Sequence, residues 1–333
     1  MVKEITLSHG SGGKLMNELI NDLITKIFEM DKKDIDDSYI YIPKEEKIAF
    51  TTDTFTVDPI FFPGGDIGKL AINGTVNDLS VMGATPKILS VGLIIEEGFN
   101  IDDLKKILIS MKKAADYAKV RIVTGDTKVV ERGKVDKLFI NTSGIGEFIY
   151  PPQRRPIEIG DKIIINGTIG DHGISIMAER NKFSFTKGLK SDCAPLNHLI
   201  SEIIKKFPES IKFMRDPTRG GVASVLNEIT EGKPFGIKIY EERLPIKDEV
   251  KGVSEILGIE PIYIANEGKV IVIAKKEEVE DIIEEMKKRD EGKNATIIGE
   301  VVGEYPGRVY METTIGGKRI LPLLSGEQLP RIC

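Results

Sequence analysis

The chain has 333 residues, of which 41% are hydrophobic and 30% are charged, and its formal net charge is −5. These values are typical of a globular protein with two ordinary domains, and the acidic balance argues against a nucleic-acid-binding surface, which would be basic. No apolar run approaches the roughly 20 residues of a membrane span, and the first residues lack the apolar stretch of a signal peptide. Because only two cysteines occur, Cys193 and Cys333, the sequence predicts no disulfide framework and a reducing, cytoplasmic location.

The first segment of interest is the glycine-rich stretch from His9 to Lys14. It resembles a phosphate loop, although Ser8 stands where a Walker A motif has its outer glycine and Leu15 where it has Ser or Thr. Backbone N–H groups and Lys14 could reach a phosphate ahead of a helix that begins near Leu15. A linker or a helix-entry loop fits the pattern equally well.

The next stretch, 50–84, spreads carboxylates through glycine-rich backbone, with Asp53, Asp58, Asp66 and Asp78. Mg²⁺ prefers oxygen ligands, commonly one or two carboxylates together with substrate phosphates. Asp beside Gly is also an ordinary turn former, so each carboxylate alone is compatible with a turn. Several in one stretch, followed by Thr-Gly-Asp-Thr-Lys at 124–128, favour a metal–nucleotide site.

Regular elements of the first half are recognisable by their periodicity. We predict strands at 48–52, 88–95, 121–123 and 138–140, and a helix capped by Asn100. The apolar residues of that helix recur at helical spacing: Ile101, Leu104, Leu108, Met111 and Ala115.

A stretch rich in proline and charge at 150–156 is the best candidate for a linker. It predicts an N-terminal domain at 1–155, a C-terminal α/β domain at 156–321 and a mobile tail at 322–333. Strands at 162–165 and 269–274 and a helix at 276–289 belong to the second half. The order of elements indicates an α+β fold made of two α/β domains, not a doubly wound sheet.

Chemically notable residues of the second half are fewer. Asp216 precedes Pro217 at a helix entry, and Glu267 lies in a tight turn before a buried strand. We interpret His172 as part of a polar loop or helix start and Cys193 as incidental. Cys333 is the last residue of the sequence, where an exposed thiolate would be a reactive nucleophile.

Six segments together resemble the ATP-using superfamily of aminoimidazole-ribonucleotide synthetase and selenophosphate synthetase. They are Thr51–Asp53, Gly65–Gly68, Asn77–Leu79, Gly83–Pro86, Thr124–Lys128 and Asp216–Gly221. Within the superfamily, the segment Ser8–Gly13 and the ending Pro330–Cys333 are similar to the HypE family of hydrogenase maturation. The resemblance spans nearly the whole chain.

The resemblance implies a homodimer with its interface in the N-terminal domains, and dependence on ATP and Mg²⁺. It further implies that a carbamoyltransferase, HypF, loads a carbamoyl group onto Cys333. The chain would then act as an ATP-dependent carbamoyl dehydratase that converts the S-carboxamide to an S-cyanide, a thiocyanate. The cyano group would pass to iron held by a HypC–HypD complex, for [NiFe]-hydrogenase.

Roles for individual residues are implied in the same way. Glu267 is the expected general base, with Lys128 orienting it or stabilising charge on the oxygen. The expected metal ligands are Asp53, Asp78 and Asp216, with Asp58 and Asp126 as second-rank ligands. The expected nucleotide contacts are Lys14, Lys69, Gly65, Asn73, Thr75, Asn77 and Thr127. Two alternatives stay open: a phosphotransferase acting on a free small molecule, and a non-enzymatic scaffold that presents its terminal cysteine.

Overall fold

The computed structural model describes residues 4–10, 14–30, 38–148, 155–183, 188–323 and 331–333. Within these ranges the strands form a four-stranded sheet in the first half, a seven-stranded sheet in the second half and a two-stranded ribbon. Mixed helix and sheet in two halves confirm the predicted α+β class. The predicted linker falls mostly on 149–154, outside the described residues, and the domain boundaries stay a prediction.

The four-stranded sheet has the order β1-β6-β4-β5, and only its β4–β5 pair is parallel. Its strands are β1 (Ile48–Phe55), β4 (Thr85–Glu96), β5 (Arg121–Val130) and β6 (Leu138–Glu147). The ribbon consists of β2 (Phe61–Phe62) and β3 (Gly65–Asp66). All four predicted strands are present. However, β5 continues through 124–130, beyond the predicted strand at 121–123, because residues 88–96 of β4 pair with it in parallel over its whole length.

Helices cover one face of this sheet. They are α1 (Lys14–Glu18) and α2 (Thr25–Phe28), joined by a π-helical turn, followed by α3 (Ile67–Val81) and α4 (Ile101–Ala118). The predicted cap of α4 is confirmed, because the Asn100 side chain accepts hydrogen bonds from the N–H groups of Asp102 and Asp103. The opposite face of the sheet is open, with Phe50 68% exposed.

The seven-stranded sheet has the order β13-β12-β9-β11-β7-β10-β8. Its strands are β7 (Lys162–Ile165), β8 (Ile211–Arg215), β9 (Gly236–Tyr240), β10 (Ile271–Ala274), β11 (Thr296–Val302), β12 (Val309–Glu312) and β13 (Lys318–Ile320). Its helices are α5 (Asp171–Arg180), α6 (Asn197–Lys206), α7 (Gly221–Thr230), α8 (Asp248–Leu257) and α9 (Val279–Met286). The second sheet buries both faces: Ile163 and Ile165 of β7 join one apolar core, and Ile164 between them joins the other.

The two halves are joined by α3, whose C-terminal Val81 packs into a core of the second half. The Asn77 amide donates to the carbonyl oxygens of Ala194 and Glu267, and its own oxygen accepts from Leu196 N. The functional loops of the second half are thus held against a helix of the first. Over the described part of the chain, no helix combines the length and apolarity needed to cross a membrane.

Candidate active site

Three carboxylates meet where the two halves join. Asp53 lies on the inward face of β1, Asp78 lies in α3, and Asp216 directly follows β8. Asp53 and Asp78 share a hydrogen bond, and the Thr51 hydroxyl donates to Asp78 at 2.8 Å. Alternation along β1 places Thr51 and Asp53 on the same face, toward α3.

The crowding of these carboxylates changes their acidity. Burial, followed by the negative charge of Asp78, raises the pKa of Asp53 to about 7. Burial and the same Asp78 charge raise the pKa of Asp216 to about 7. Proton uptake is therefore one way for the protein to relieve the repulsion, and a bound cation is another.

Glu267 lies against this group on the loop before β10. It is 3% exposed, and its Oε1 atom is buried without a hydrogen-bond partner. Burial first, and then the charges of Asp216 and Asp192, raise the pKa of Glu267 well above its ordinary value. Its backbone is fixed by Asp192, whose carboxylate accepts from the N–H groups of Glu267 and Gly268 and from the Lys269 ammonium.

Cys333 reaches this site from the far end of the sequence. Its thiol hydrogen-bonds the Arg219 guanidinium, and its neighbours include Glu267 and Asp53. Burial, followed by the Glu267 charge, raises the pKa of the Cys333 thiol to about 11. The docked sulfur is consequently neutral at physiological pH.

The two residues before Cys333 are also held. Arg331 pairs with Asp136 at 2.6 Å and donates from Nε to the Thr56 carbonyl at 3.0 Å. Ile332 is 4% exposed and belongs to the core of the first half. Most of the predicted mobile tail lies outside the described residues, so its mobility stays a prediction.

The residues present fit a divalent cation in their chemistry. Asp53, Asp78 and Asp216 supply hard oxygen donors at one place, and the raised pKa values of Asp53 and Asp216 show that the negative charge there is not fully compensated. Among the residues described, no set of three or more His, Cys, Asp or Glu side chains is gathered tightly enough to form a metal site by itself. Mg²⁺ does not require such a set, because it commonly takes only one or two carboxylates and completes its shell with water and phosphate.

The predicted role of Lys128 next to Glu267 is not supported. Its ammonium pairs with Asp126 at 3.0 Å, and both side chains are more than 60% exposed. The alternation of β5 explains this, since Asp126 and Lys128 occupy the open face of the sheet while Thr127 between them is buried. The three residues are therefore not gathered with the carboxylate group.

Three predicted nucleotide contacts are instead packing residues of α3, because their side chains are buried with partners of their own. Asn77 binds the loops of the second half as described above. Thr75 shares a hydrogen bond with the Thr142 hydroxyl, and the Asn73 amide donates to the Cys193 sulfur at 3.3 Å. All three are at most 1% exposed.

The remaining predicted residues lie around the site without joining the carboxylates. Lys14 is exposed and pairs with Glu18, while Ser11–Gly13 of the predicted phosphate loop lie outside the described residues. Lys69 donates to the Gly64 carbonyl beside Gly65. The Asp58 carboxylate faces Lys137 at 3.5 Å, and its backbone N–H donates to the Arg331 carbonyl. Asp58 therefore serves the docked tail instead of the carboxylate group.

Sequence reasoning missed several residues that contact the tail. Arg219 stands three residues after Asp216 in the Asp-Pro-Thr-Arg motif, and that proximity was the available signal. His172, interpreted as part of a polar loop or helix start, is the second residue of α5 and is buried, and Arg180 ends the same helix. No periodicity distinguishes these two, since their partner is the tail, more than 150 residues away.

Comparison with known proteins places this geometry in a family. The family model for the N-terminal domain of AIR synthase related protein matches residues 35–148 of this chain, and the model for the C-terminal domain matches residues 158–312. Carbamoyl dehydratase HypE of Rhodobacter capsulatus is 45% identical over 99% of this chain and 98% of its own length. The chain belongs to the HypE family.

Solved structures of HypE proteins agree with the fold. A HypE crystal structure in complex with ATP is 43% identical, covers 98% of this chain and 99% of its own, and superposes with a TM-score of 0.92. A HypE–HypF complex contains a chain that is 46% identical, with coverage of 94% and 100% and a TM-score of 0.79.

The raised pKa values predict a pH-dependent stability of the metal-free protein. Between about pH 4 and 7 the native state binds more protons than the unfolded state, so stability should fall as pH rises through this window. Asp216→Asn should remove part of this loss and stabilise the protein at pH 8 by about 1–2 kcal/mol, but not at pH 4. Urea unfolding of both proteins at pH 4 and pH 8 measures this difference in the free energy of unfolding.

The fully exposed Asp248 supplies the matched control, since Asp248→Asn should leave the pH profile unchanged. Added Mg²⁺ should stabilise the wild type at pH 8 more than the Asp216→Asn protein. An equal Mg²⁺ effect on both would exclude Asp216 from the cation site.

Proposed function

We propose that this chain is an ATP-dependent carbamoyl dehydratase whose substrate is its own Cys333, carrying an S-carboxamide that is converted to an S-cyanide. Membership in the HypE family supports the reaction. The assignment to Cys333 rests on the position of its sulfur, which contacts Arg219 and lies close to the buried Glu267 and the carboxylate group.

The environment of the docked Cys333 sulfur suits the S-carboxamide better than a free thiol that acts as a nucleophile. The raised pKa keeps the docked sulfur protonated, so attack on a carbamoyl donor is disfavoured there. An S-carboxamide is neutral and needs no such ionisation. Carbamoylation therefore belongs to a state with the tail away from the site, and dehydration to the docked state.

The dehydration requires an amide oxygen to leave, and phosphorylation turns it into a good leaving group. The γ-phosphoryl group of ATP would be transferred to the carboxamide oxygen, and the resulting imidate would lose phosphate as its N–H proton is removed. The sulfur-bound carbon is thereby left as a nitrile. Arg219, which already contacts the sulfur, is placed to hold the carboxamide and to offset negative charge that develops beside it.

Glu267 is the proposed base for the amide nitrogen. A carboxylate with a raised pKa is well matched to proton transfer near neutral pH, and its unpartnered Oε1 is available to an N–H donor. Asp53, Asp78 and Asp216 would hold Mg²⁺, which when bound would neutralise phosphate charge during the transfer. Asp192 would keep the Glu267 loop in place through its bonds to the backbone.

Partners follow from the family. A HypE relative has been solved in a complex with HypF, and we infer that HypF loads the carbamoyl group here as well. The HypC–HypD complex is the proposed acceptor of the cyano group, and the cytoplasm the proposed location. A free small-molecule substrate is less favoured, because Cys333 itself occupies the position beside Glu267.

We also propose a homodimer formed by the open face of the four-stranded sheet. Ile48 and Phe50 of β1 and Ile94 of β4 are large apolar residues that this face exposes. An uncovered apolar sheet face is commonly an interface between subunits.

The two cysteines allow a direct test of the substrate assignment. After incubation with HypF, carbamoyl phosphate and ATP, the wild type should gain a cyano group on the peptide that ends in Cys333. Cys333→Ala should gain none. Cys193→Ala is the matched control and should behave as the wild type, because Cys193 is 2% exposed and burial raises the pKa of its thiol to about 12. Mass spectrometry that located the label on Cys193 would refute the assignment.

The base is tested by Glu267→Gln, which preserves size and removes proton affinity. Conversion of carboxamide to cyanide should fall by about 10²–10⁴. The carbamoylated form should accumulate, since loading is done by the partner, and this is followed by mass spectrometry over time. Glu255→Gln, at an exposed position of α8, is the control and should retain full activity. Conversion at near wild-type rate in Glu267→Gln would show that Glu267 is not the base.

The dimer is tested by charge at its proposed centre. Sedimentation equilibrium at micromolar concentration should give twice the 36.9 kDa chain mass for the wild type and one chain mass for Phe50→Asp. Ile315→Asp, at a 93% exposed apolar residue of the second half, should remain dimeric. A monomeric wild type would contradict the proposal.

A further inference from the structure

The groove that holds residues 331–333 binds them chiefly through their backbone. The Arg331 carbonyl accepts from Asp58 N at 3.1 Å and from Arg180 Nη2 at 3.0 Å. The Ile332 carbonyl accepts from His172 Nε2 at 2.9 Å, and the Cys333 main-chain oxygen accepts from Thr56 N at 3.1 Å. Because Thr56 faces Cys333 and Asp58 faces Arg331, the tail runs antiparallel to residues 56–58, as in the binding of an extended peptide to an exposed edge.

Two side chains add selectivity to this backbone recognition. Arg331 reaches both Asp136 and the Thr56 carbonyl, and its guanidinium lies over the Phe139 ring at 5.9 Å. Ile332 fills an apolar position in the core of the first half. The groove therefore selects for arginine and an aliphatic residue immediately before the cysteine.

The donors of the groove are positioned by contacts that do not involve the tail. His172 accepts at Nδ1 from the Ser191 hydroxyl at 2.8 Å, which leaves Nε2–H to donate, and the Phe62 ring packs edge-on against the imidazole. Burial lowers the pKa of His172, so the ring stays neutral. The Arg180 guanidinium is anchored at Nε by the Asp58 carbonyl at 3.0 Å.

None of these contacts requires a covalent connection between the groove and the residues it holds. We propose that the groove is a peptide-binding site, and that the enzyme dehydrates the S-carbamoyl group of a separate peptide ending in Arg-Ile-Cys. This inference rests on the proposed function and extends its substrate class from the enzyme's own tail to S-carbamoyl-cysteinyl peptides supplied in solution.

The chemistry in trans is the same as in the tethered reaction and balances without another reactant. The carboxamide oxygen bonds to the γ-phosphorus of ATP as the bond to ADP breaks. The C–O bond then breaks, and both amide protons leave with the phosphate or to water. The products are a peptide thiocyanate, ADP and phosphate, with no change of oxidation state.

A free peptide lacks the tether, which is the covalent connection between the tail and the rest of the enzyme. A short linker supplies an effective concentration in the millimolar range, so a free peptide has to be supplied at about millimolar concentration to match the occupancy that the tether gives. The enzyme's own tail competes for the groove. Weakening the own tail should therefore speed turnover of the free peptide.

The test uses the full chain with Cys333→Ser, which cannot react, and the same chain with Arg331→Glu added, whose charge is repelled by Asp136. Each is given ATP, Mg²⁺ and the synthetic peptide Gln-Leu-Pro-Arg-Ile-Cys carrying S-carbamoyl. Mass spectrometry should show ATP-dependent loss of one water from the peptide. The doubly substituted chain should be faster than Cys333→Ser alone. Equal rates would show that the peptide does not use the groove and would overturn the proposal.

A second peptide tests the selectivity and does not depend on the tail variants. Alanine in place of its arginine should lower kcat/KM by about tenfold or more, because charge-assisted hydrogen bonds to Asp136 and Thr56 are lost. Asp136→Asn, introduced into the Cys333→Ser chain, should lower the ratio of kcat/KM for the arginine peptide to that for the alanine peptide, because competition from the enzyme's own tail, whose Arg331 also pairs with Asp136, affects both peptides alike. Equal kcat/KM for the two peptides would argue against recognition by the groove.

The intact chain, carbamoylated by its partner, separates the two proposals. If it forms S-cyanide while no peptide reacts with any of these variants at millimolar concentration, the peptide-binding proposal is wrong and the dehydratase function stands. If the intact chain also fails, the proposed function itself is wrong.

Discussion

Mutual repulsion among buried carboxylates is the constraint on which this site depends. Glu267 has the charges of Asp53, Asp78 and Asp216 around it, and burial raises the pKa of Glu267, Asp53 and Asp216. Such an arrangement costs free energy unless protons or cations compensate it. A site of this kind persists only when the surrounding structure holds the groups together, and it is then ready to bind the positive charge that phosphoryl transfer needs.

The frame that holds them is formed by pairing between distant parts of the chain. Strand β1 fixes the face on which Asp53 lies. Helix α3 carries Asp78 and, next to it, Asn77, which donates a hydrogen bond to the Glu267 carbonyl. On the other side of that loop, the buried pair of Asp192 and Lys269 fixes its backbone. Breaking such a buried pair would leave an uncompensated charge beside the base, so the frame and the acidity of the site are coupled.

Local periodicity made much of the fold predictable, and chemistry-bearing motifs made the carboxylates predictable. The helix after Asn100 follows from its apolar spacing and its cap, and strand 162–165 follows from its isoleucines. Strand β5 was predicted too short because Thr-Gly-Asp-Thr-Lys has the composition of a loop, whereas pairing with β4 keeps it extended. Asn73, Thr75 and Asn77 were assigned to nucleotide because polar residues in a motif are ambiguous until tertiary contacts show what they bind. Lys128 was misplaced because strand alternation puts it on the open face.

The two thiols of the chain have different access to reagents, although burial raises the pKa of both. Cys193 lies on the same loop as Asp192 and is buried against α3, where the Asn73 amide donates to its sulfur. Cys333 is only half-buried, and its position depends on residues 331–333 lying in their groove. If the tail leaves the groove as proposed, an alkylating agent such as iodoacetamide should react faster with Cys333 as the fraction of molecules with the tail out of the groove increases. The rate of alkylation would then report the fraction of molecules with an undocked tail, without any label attached to the protein.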